Sequence, residues 1–301
     1  MNNSKVPILL IAFNRPQKTE QVLNRICEYS PEELFIFIDG PRNEEDSKKI
    51  NSILNTINSL HTNFKIHIHT QDKNLGCKYG PLTAINWFFE HVDKGIILED
   101  DCLPYLPFFD FCSHLLRTYE HDEKIMHISG NNFQNGKKRG DINASYYFSN
   151  YTHSWGWATW KRSWSLYNQA IENFYKFKKE NHIQKIQIGK SAQIYWLKNF
   201  ERTLAKTDSW DSLWMYTVWY HKGLAILPQQ NLVENIGFDQ EATHTKFDTI
   251  KQKATPVLSL EIIDPTKIEI DQEAEIYTFN SLYKTSKIKS FFLLLKQKLC
   301  R

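Results

Sequence analysis

Three consecutive acids, Glu99-Asp100-Asp101, follow the short apolar run 95–98. Neighbouring carboxylates repel one another, so they either stay in water or share a cation. Mg²⁺ and Mn²⁺ prefer oxygen ligands and often use one or two carboxylates together with substrate phosphates. In extended backbone alternate side chains share a face, so Glu99 and Asp101 are expected to point one way and Asp100 the other. The triplet indicates a Mn²⁺ or Mg²⁺ site, with a solvated acidic turn as the alternative.

Two more segments place charged side chains just after apolar runs. Asp39 follows the run 34–38, where its carboxylate could accept a hydrogen bond from a base or a ribose, and Arg42 nearby could reach a phosphate. Arg15 follows the first apolar run just before a helical pattern, where backbone amides favour anions. A plain turn at Asp39 and a surface side chain at Arg15 are the alternatives.

A glycine-bearing loop at residues 74–76 could allow close approach of the backbone to a ligand. The chain has neither the G-x-G-x-x-G pattern nor the G-x-x-x-x-G-K-[ST] pattern. Dinucleotide-binding and P-loop classes therefore lack their key residues.

Asp211 lies between aromatic residues in the segment Ser-Trp-Asp-Ser-Leu-Trp. A carboxylate that tryptophan shields from water can keep a raised pKa, which suits a general base. Capping of a helix is the alternative. His244, in Thr-His-Thr, could bind a metal or a phosphate, and a loop histidine with neither role is the alternative.

Apolar runs and helical patterns alternate over the first hundred residues. The predicted strands cover residues 7–13, 34–38, 64–69 and 95–98. Helical patterns cover 19–29 and 81–92, with Pro81 in the first turn. Such alternation predicts βαβ units and an α/β fold with a mostly parallel sheet. Because ligands bind at the carboxyl ends of strands in open parallel sheets, both acidic segments should line one crevice.

The second half of the chain is less regular. Helical patterns cover 105–120, 168–180, 192–206 and 209–220, strands are predicted over 125–129 and 224–227, and residues 134–143 form a polar loop. No linker rich in Gly, Ser or Pro divides the chain. We expect one domain over residues 1–250, with a donor half (about 1–130) and an acceptor half (about 131–250), and an extension over 251–301.

Composition narrows the possible partners. The chain is 41% hydrophobic and 24% charged, and its nine Trp, fourteen Tyr and nineteen Phe supply planar faces that stack on sugars or bases. A net charge of +3 argues against nucleic acid as a partner. The positive charge is concentrated in residues 284–301, which hold five Lys, one Arg and no acid.

The expected location is the cytoplasm. Five cysteines without a C-x-x-C pair suit a reducing compartment. The first apolar run is too short for a signal peptide, and no run approaches the roughly 18 apolar residues of a membrane span. The apolar residues 291–295, framed by lysines, are typical of peripheral contact with an anionic bilayer, here the inner face of the cytoplasmic membrane. A solvated tail or a packing helix are the alternatives.

In their order along residues 5–245, several segments resemble a GT-A-fold nucleotide-sugar glycosyltransferase. More narrowly, they resemble bacterial sugar transferases related to the N-acetylglucosaminyltransferase I type. The matching segments are 7–16 (PILLIAFNRP), 38–42 (IDGPR), 74–76 (NLG), 95–104 (GIILEDDCLP), 128–133 (ISGNNF), 154–164 (SWGWATWKRSW), 209–214 (SWDSLW) and 231–244 (NLVENIGFDQEATH). The resemblance implies a Rossmann-like GT-A sheet flanked by helices, with an aromatic-rich acceptor side.

The resemblance also implies an activity. A hexosyl or N-acetylhexosaminyl group would pass from a UDP-sugar to a hydroxyl of a glycan or lipid-linked glycan, as in the synthesis of capsule or lipopolysaccharide. Asp211 would act as the catalytic base of an inverting transfer. The alternatives are a sugar-nucleotide nucleotidyltransferase, although residues 12–16 are not the glycine-rich signature that usually holds a triphosphate, and a non-catalytic carbohydrate-binding protein.

The roles implied for single residues fall into three groups. Asp101 and His244 would hold the Mn²⁺ or Mg²⁺ ion. The nucleotide-sugar donor would be bound by Phe13, Asn14, Arg15, Asp39, Arg42, Asn74, Gly76, Glu99 and Asp100. The acceptor would stack on Trp155, Trp157 and Trp210, with packing of these tryptophans in the core as the alternative.

Overall fold

The computed structural model describes residues 5–186, 189–205, 209–237 and 261–284. The strands are β1 (Ile8–Ala12), β2 (Glu33–Ile38), β3 (Lys65–Thr70), β4 (Lys94–Glu99), β5 (Cys102–Pro104), β6 (Ile125–Ser129), β7 (Tyr146–Ser149), β8 (Trp157–Trp160), β9 (Leu224–Pro228) and β10 (Val233–Asn235). The helices are α1 (Pro16–Tyr29), α2 (Glu44–Asn58), α3 (Gly76–His91), α4 (Leu106–Thr118), α5 (Lys161–Trp164), α6 (Tyr167–Glu172), α7 (Phe174–Lys179), α8 (Ile183–Ile186), α9 (Lys190–Ala205), α10 (Asp211–Tyr220) and α11 (Gln272–Thr278), which continues into a π-helical turn, Phe279–Tyr283.

An eight-stranded sheet in the order β3-β2-β1-β4-β8-β6-β9-β7 forms the centre of the fold. The first four of these strands are mutually parallel, β8 runs antiparallel between β4 and β6, and β9 is parallel to β6. This confirms the predicted α/β class and the mostly parallel sheet. Strands β5 and β10 form a separate antiparallel ribbon at which Asn235 pairs with Cys102.

Helices cover both faces of the inner parallel strands β1, β2 and β4, which explains their continuous apolar character. Along β1, Ile8 and Leu10 belong to the core that includes α1 and α4. Leu9 and Ile11 point the other way, into the core that includes α3 and several tryptophans. Alternate side chains of a strand face opposite sides of the sheet. A strand without polar residues therefore fits a position where both faces of the sheet are buried.

Helix α3 begins five residues earlier than predicted, at Gly76, and Pro81 lies inside it. A proline cannot donate the usual backbone bond, which favours a position in the first turn. Here the helix start is fixed instead by the Asp39 carboxylate, which accepts bonds from the Leu75 and Gly76 amides. The predicted boundary is wrong because a residue distant in sequence supplies the cap.

Several elements of the second half differ from prediction. Strands β7 and β8 were not predicted, since both are short and fully buried and show no alternation. The helical pattern over 168–180 forms two short helices, α6 and α7, with Asn173 between them. Strand β9 confirms the strand predicted over 224–227, and β10, which follows it, was not predicted.

Residues 261–284 return to the edge of the sheet. Ile270 bridges to Phe148 of β7, and Ala274 of α11 packs in a core with Tyr147. The buried Glu275 carboxylate accepts a hydrogen bond of 2.5 Å from Ser149 Oγ. The domain boundary at residue 250 stays a prediction, and the basic tail beyond Lys284 lies outside the described residues.

Within the described ranges, no helix has the length and apolar character that crossing a bilayer requires.

Arg162 stabilises the connection between α4 and β6 through hydrogen bonds to its backbone. Its guanidinium donates to the carbonyl oxygens of Tyr119, Glu120, Asp122 and Ile125 at 2.9–3.0 Å. It also lies 4.4 Å from the centroid of the Trp160 ring.

We expect Arg162→Ala to lower the free energy of unfolding by about 2–3 kcal/mol, because four carbonyl groups lose a charged donor. Urea denaturation followed by circular dichroism measures this. The matched control is Lys161→Ala, which removes an exposed cation next in sequence and should stay within about 0.5 kcal/mol of the parent. Equal losses in the two variants contradict the role given to Arg162.

Candidate functional site

A cavity of about 640 Å³ opens at the carboxyl ends of β1, β2 and β4. The predicted site residues that line it are Phe13, Asn14, Arg15, Asp39, Arg42, Asn74, Gly76, Glu99, Asp100, Asp101 and Trp155. Parallel strands end at the same edge of a sheet, and this brings together side chains that are far apart in sequence. The expectation that both acidic segments line one crevice is met.

The Arg15 guanidinium lies between two carboxylates at this edge. Its Nη1 is 3.1 Å from Asp100 Oδ1 and 2.8 Å from Asp101 Oδ2. The Phe13 amide donates to the second Asp100 oxygen at 3.2 Å. The backbone turns directly after Glu99, so the side chains of Asp100 and Asp101 both reach the Arg15 guanidinium. The predicted alternation of the triplet between opposite faces is therefore wrong.

Negative charge exceeds positive charge around Arg15. Burial, and then the charges of Asp101, Asp100 and Asp211, raise the pKa of Glu99 to about 8. Burial and the charge of Asp101 raise the pKa of Asp100 to about 6, although Arg15 opposes the shift. Raised pKa values mean that these acids bind protons more readily than usual, and a cation bound beside them would lower both pKa values.

The residues present fit a hard divalent cation. In the described part of the chain no three His, Cys, Asp or Glu side chains are placed to hold an ion by themselves. Mg²⁺ is, however, usually bound by one or two carboxylates, and substrate phosphates complete its coordination. Asp101 with Glu99 beside it supplies that partial set. His244, the second predicted metal residue, lies outside the described residues.

The Asp39 carboxylate accepts several hydrogen bonds from other groups of the protein. It accepts hydrogen bonds from the Gly40, Leu75 and Gly76 amides at 2.8–3.1 Å and from Asn74 Nδ2 at 3.0 Å. Its side chain is buried. Asp39 therefore fixes the loop that begins α3, a role the sequence did not indicate.

Asp46 organises the opposite rim and was missed by the sequence analysis. It accepts bonds from Asn14 Nδ2 at 2.6 Å and from Arg42 Nε at 2.7 Å. Arg42 in turn lies 4.8 Å from the centroid of the Phe13 ring. The sequence did contain a signal for this residue. Asn43 caps α2 by accepting a hydrogen bond from the Asp46 amide, and an acid three residues after a capping Asn is typical of a helix start.

The ribbon of β5 and β10 closes one side of the cavity. Asn235 and Gly237 line it, and the sequence analysis gave neither of them a role. A Cβ atom at Gly237 would lie 2.3 Å from Asp101 Oδ2, so a larger residue here would displace the Asp101 carboxylate. The pairing of Asn235 with Cys102, 133 positions away, could not be inferred from local pattern.

Of the three tryptophans predicted to bind an acceptor, only Trp155 lines the cavity. Trp157 and Trp210 are 1% and 5% exposed, and their rings stack with centroids 5.6 Å apart. Neither ring has a face open to a ligand. The acceptor-binding prediction is wrong for these two residues, which belong to the core.

Asp211, the predicted base, is the first residue of α10. Its side chain is exposed and accepts a hydrogen bond from the Ser209 hydroxyl. Asp211 is not among the described residues that line the cavity, although its charge is one of the causes that raise the pKa of Glu99. A part for Asp211 in any reaction stays a prediction.

No family model matches the chain. Several solved structures are similar to it. One is 4-diphosphocytidyl-2C-methyl-D-erythritol synthase from Anaerococcus prevotii DSM 20548, 10% identical, covering 65% of this chain and 85% of that one with a TM-score of 0.31. A UDP-glucose pyrophosphorylase complexed with UDP-glucose is 10% identical, covering 55% and 80% with a TM-score of 0.32. The inositol-1-phosphate CTP transferase from T. maritima is 10% identical, covering 54% and 74% with a TM-score of 0.30.

These comparisons correct the expected activity. The similar structures are named as a synthase, a pyrophosphorylase and a CTP transferase, and none of the three is named as a glycosyltransferase. Glycosyl transfer from a UDP-sugar to a glycan, the main expectation, is therefore wrong by these comparisons. The resemblance to the N-acetylglucosaminyltransferase I type is not confirmed.

We expect Asp46→Asn to destabilise the protein by about 2 kcal/mol at pH 7, because charged hydrogen bonds to Arg42 and Asn14 are lost. The hydrogen bond from Arg42 is the main cause that lowers the pKa of Asp46 to about 2. A lowered pKa gives stability that is present above about pH 4 and lost as the pH falls towards 2. Urea denaturation at several pH values should show the two proteins converge over that interval.

The matched control is Glu45→Gln, which removes an exposed acid from the same helix turn. Its pair with Lys49 is at the surface and contributes little, so this variant should unfold much as the parent does. A difference between Asp46→Asn and the parent that stays constant from pH 7 to pH 2 contradicts the assignment.

Proposed function

We propose that this cleft binds a nucleoside triphosphate with a divalent cation and transfers the nucleotidyl group to a phosphorylated sugar or alcohol. One observation carries the proposal: Arg15 lies between Asp100 and Asp101, with Glu99 beside them, where β1 and β4 end. A cation that attracts phosphate thus lies next to carboxylates that suit a divalent ion.

The charges of the cavity fit two phosphorylated substrates. Arg15, Arg42 and Lys49 all line it. The loop between β1 and α1 carries Phe13-Asn14-Arg15 in place of a glycine-rich segment, so phosphates meet side-chain cations more than a row of backbone amides. A phosphate nucleophile is already ionised, so the reaction needs no general base within the cavity.

In this reaction a phosphate oxygen of the co-substrate attacks the α-phosphorus of the triphosphate. A new P–O bond forms while the bond between the α-phosphorus and its bridging oxygen breaks, and pyrophosphate leaves with the electron pair. Arg15 offsets the negative charge that develops on the phosphates. Asp101 and Glu99 would hold the divalent ion, which supplies Lewis-acid neutralisation of phosphate charge when bound.

The direct test is release of pyrophosphate. The purified chain is incubated with Mg²⁺, each of the four nucleoside triphosphates and a panel of sugar 1-phosphates, and pyrophosphate is measured by a coupled assay. The expected result is pyrophosphate release that requires both substrates, together with the reverse reaction from the matching sugar nucleotide. Release of a nucleoside diphosphate from a sugar nucleotide, without pyrophosphate formation in any mixture, contradicts the proposal.

Arg15→Gln should lower kcat by about 10²–10³-fold, the usual cost of removing one donor that stabilises developing charge. Steady-state kinetics of pyrophosphate release measures the change. Arg25→Gln is the matched control, because Arg25 lies on α1, the helix that follows Arg15, and pairs with Glu28 at the surface. Comparable losses in the two variants would show that Arg15 acts through stability alone.

Asp101→Asn should weaken nucleotide binding in the presence of Mg²⁺ while leaving the weak binding measured with EDTA unchanged. The reason is that an amide is a poorer ligand for a hard cation than a carboxylate. Isothermal calorimetry with and without Mg²⁺ separates the two contributions. Asp110→Asn, an exposed acid on α4, serves as control. A loss of equal size with EDTA would remove Asp101 from the cation site.

A further inference from the structure

A second cleft, of about 630 Å³, lies beside α11 at the β7 edge of the sheet. The lining of this basic cleft includes three consecutive cations, one acid, one aliphatic side chain and one aromatic ring: Lys137, Lys138, Arg139, Glu273, Ile276 and Tyr277. No described residue lines both the basic cleft and the cavity at the ends of β1, β2 and β4. Strand β7 lies four strand spacings from β4, which is about 19 Å across the sheet. The two are therefore separate sites.

The loop that carries the three cations is fixed by hydrogen bonds around Arg139. The Arg139 amide donates to Gln229 Oε1 at 2.9 Å, and Gln229 Nε2 donates back to the Arg139 carbonyl oxygen at 2.5 Å. The next amide, that of Gly140, donates to Asp271 Oδ2 at 2.7 Å. The backbone is thus set before any ligand enters, which lowers the entropic cost of binding.

Arg139 is a buried cation whose acid partner lies in water. The residue is 7% exposed, and its Nε donates to Gln134 Oε1 at 2.8 Å. Its Nη1 donates to Glu273 Oε2 at 3.2 Å, but the Glu273 side chain is 89% exposed. Water screens an acid so placed, and the pair contributes little. The guanidinium therefore favours an anion that carries more charge than Glu273 supplies.

The ring of Tyr277 brings two of the cations together. Lys137 Nζ lies 5.2 Å from the ring centroid, and the guanidinium carbon of Arg139 lies 5.4 Å from it. The ring attracts both cations, whereas their like charges repel each other. An anion that contacts both removes this repulsion. Ile276, 44% exposed, adds an apolar surface for the carbon atoms that such an anion carries.

We infer that the basic cleft binds a phosphate monoester, independently of the reaction proposed for the cavity. A monoester carries about two negative charges at pH 7, which matches three cations opposed by one acid. Its oxygens accept hydrogen bonds from the planar fork of an arginine. A carboxylate carries one charge and leaves positive charge in excess. The phosphate belongs either to a soluble ester or to the headgroup of phosphatidic acid, and the test separates these two sources.

The first measurement is the rate at which Lys137 is acetylated. The full chain is treated with an acetylating ester at neutral pH, with and without glycerol 3-phosphate, and each lysine is followed by mass spectrometry. We expect glycerol 3-phosphate to protect Lys137 and to leave the exposed Lys161 unprotected. Lactate, a carboxylate of similar size, should protect Lys137 far less. Equal protection by the two compounds overturns the inference.

Vesicles identify the source of the phosphate. Sedimentation with phosphatidylcholine vesicles that contain phosphatidic acid is compared with vesicles that contain phosphatidylglycerol, a phosphate diester. Binding that requires phosphatidic acid and is lost in Lys137→Gln assigns the phosphate to a lipid headgroup. Protection by glycerol 3-phosphate without such binding assigns it to a soluble ester. No protection, together with vesicle binding that does not depend on phosphatidic acid, overturns the inference.

Glu273→Gln distinguishes binding from stability, because its expected effect is a gain. The change removes the one acid among the described residues that line the cleft and frees Arg139 Nη1. Binding of the ester, measured by the concentration that half-protects Lys137, should tighten by about threefold. Glu269→Gln, which removes an exposed acid outside the cleft lining, should leave the affinity unchanged.

Lys137→Gln gives the opposite result. We expect it to weaken binding by about tenfold, now measured by protection of Lys138, because a charge-assisted hydrogen bond is lost. For a lipid source the same shifts are measured with phosphatidic acid vesicles. Binding that is no tighter in Glu273→Gln than in the parent, or no weaker in Lys137→Gln, overturns the inference.

Discussion

The ion pairs of Arg15 with Asp100 and Asp101 are the interaction on which the arrangement of this cleft depends. They join the loop after β1 to the turn after β4, and the parallel pairing of these two strands places Leu10 beside Leu98. Burial by itself would lower the pKa of Arg15, but the charges of the two acids outweigh it and the pKa is raised. The guanidinium therefore stays charged between the two carboxylates.

The acids around the cavity have different physical roles. Asp39 and Asp46 each accept several hydrogen bonds from the protein. Asp39 fixes the start of α3, and Asp46 joins Asn14 of the loop after β1 to Arg42 of the loop after β2. Asp100 is paired with Arg15, but burial and the charge of Asp101 outweigh this pairing, and the pKa values of both Glu99 and Asp100 are raised. The first two acids shape the cleft, whereas Glu99 and Asp100 hold protons more readily than ordinary carboxyl groups.

The aromatic residues of the second half serve mainly to build the core. Trp196, Trp219 and Tyr216 are among the largest fully buried side chains, and they join α9 and α10 in one cluster. Only Trp155 of the three proposed stacking residues reaches the cavity. An excess of aromatic residues in a sequence is thus weak support for a carbohydrate ligand, since large rings are the groups that bury most apolar surface.

The sequence by itself determined the α/β class, the first four strands and the edge at which the acids gather. These follow from local pattern: apolar runs define strands, and strand ends define the edge. It did not determine which acid is free to bind a ligand, because saturation of Asp39 requires a loop 35 positions away. Nor did it show that Trp155 lines the cavity whereas Trp157, two residues later, lies in the core. Tertiary structure alone decided these points, since burial and hydrogen bonding depend on residues brought together by strand order and register.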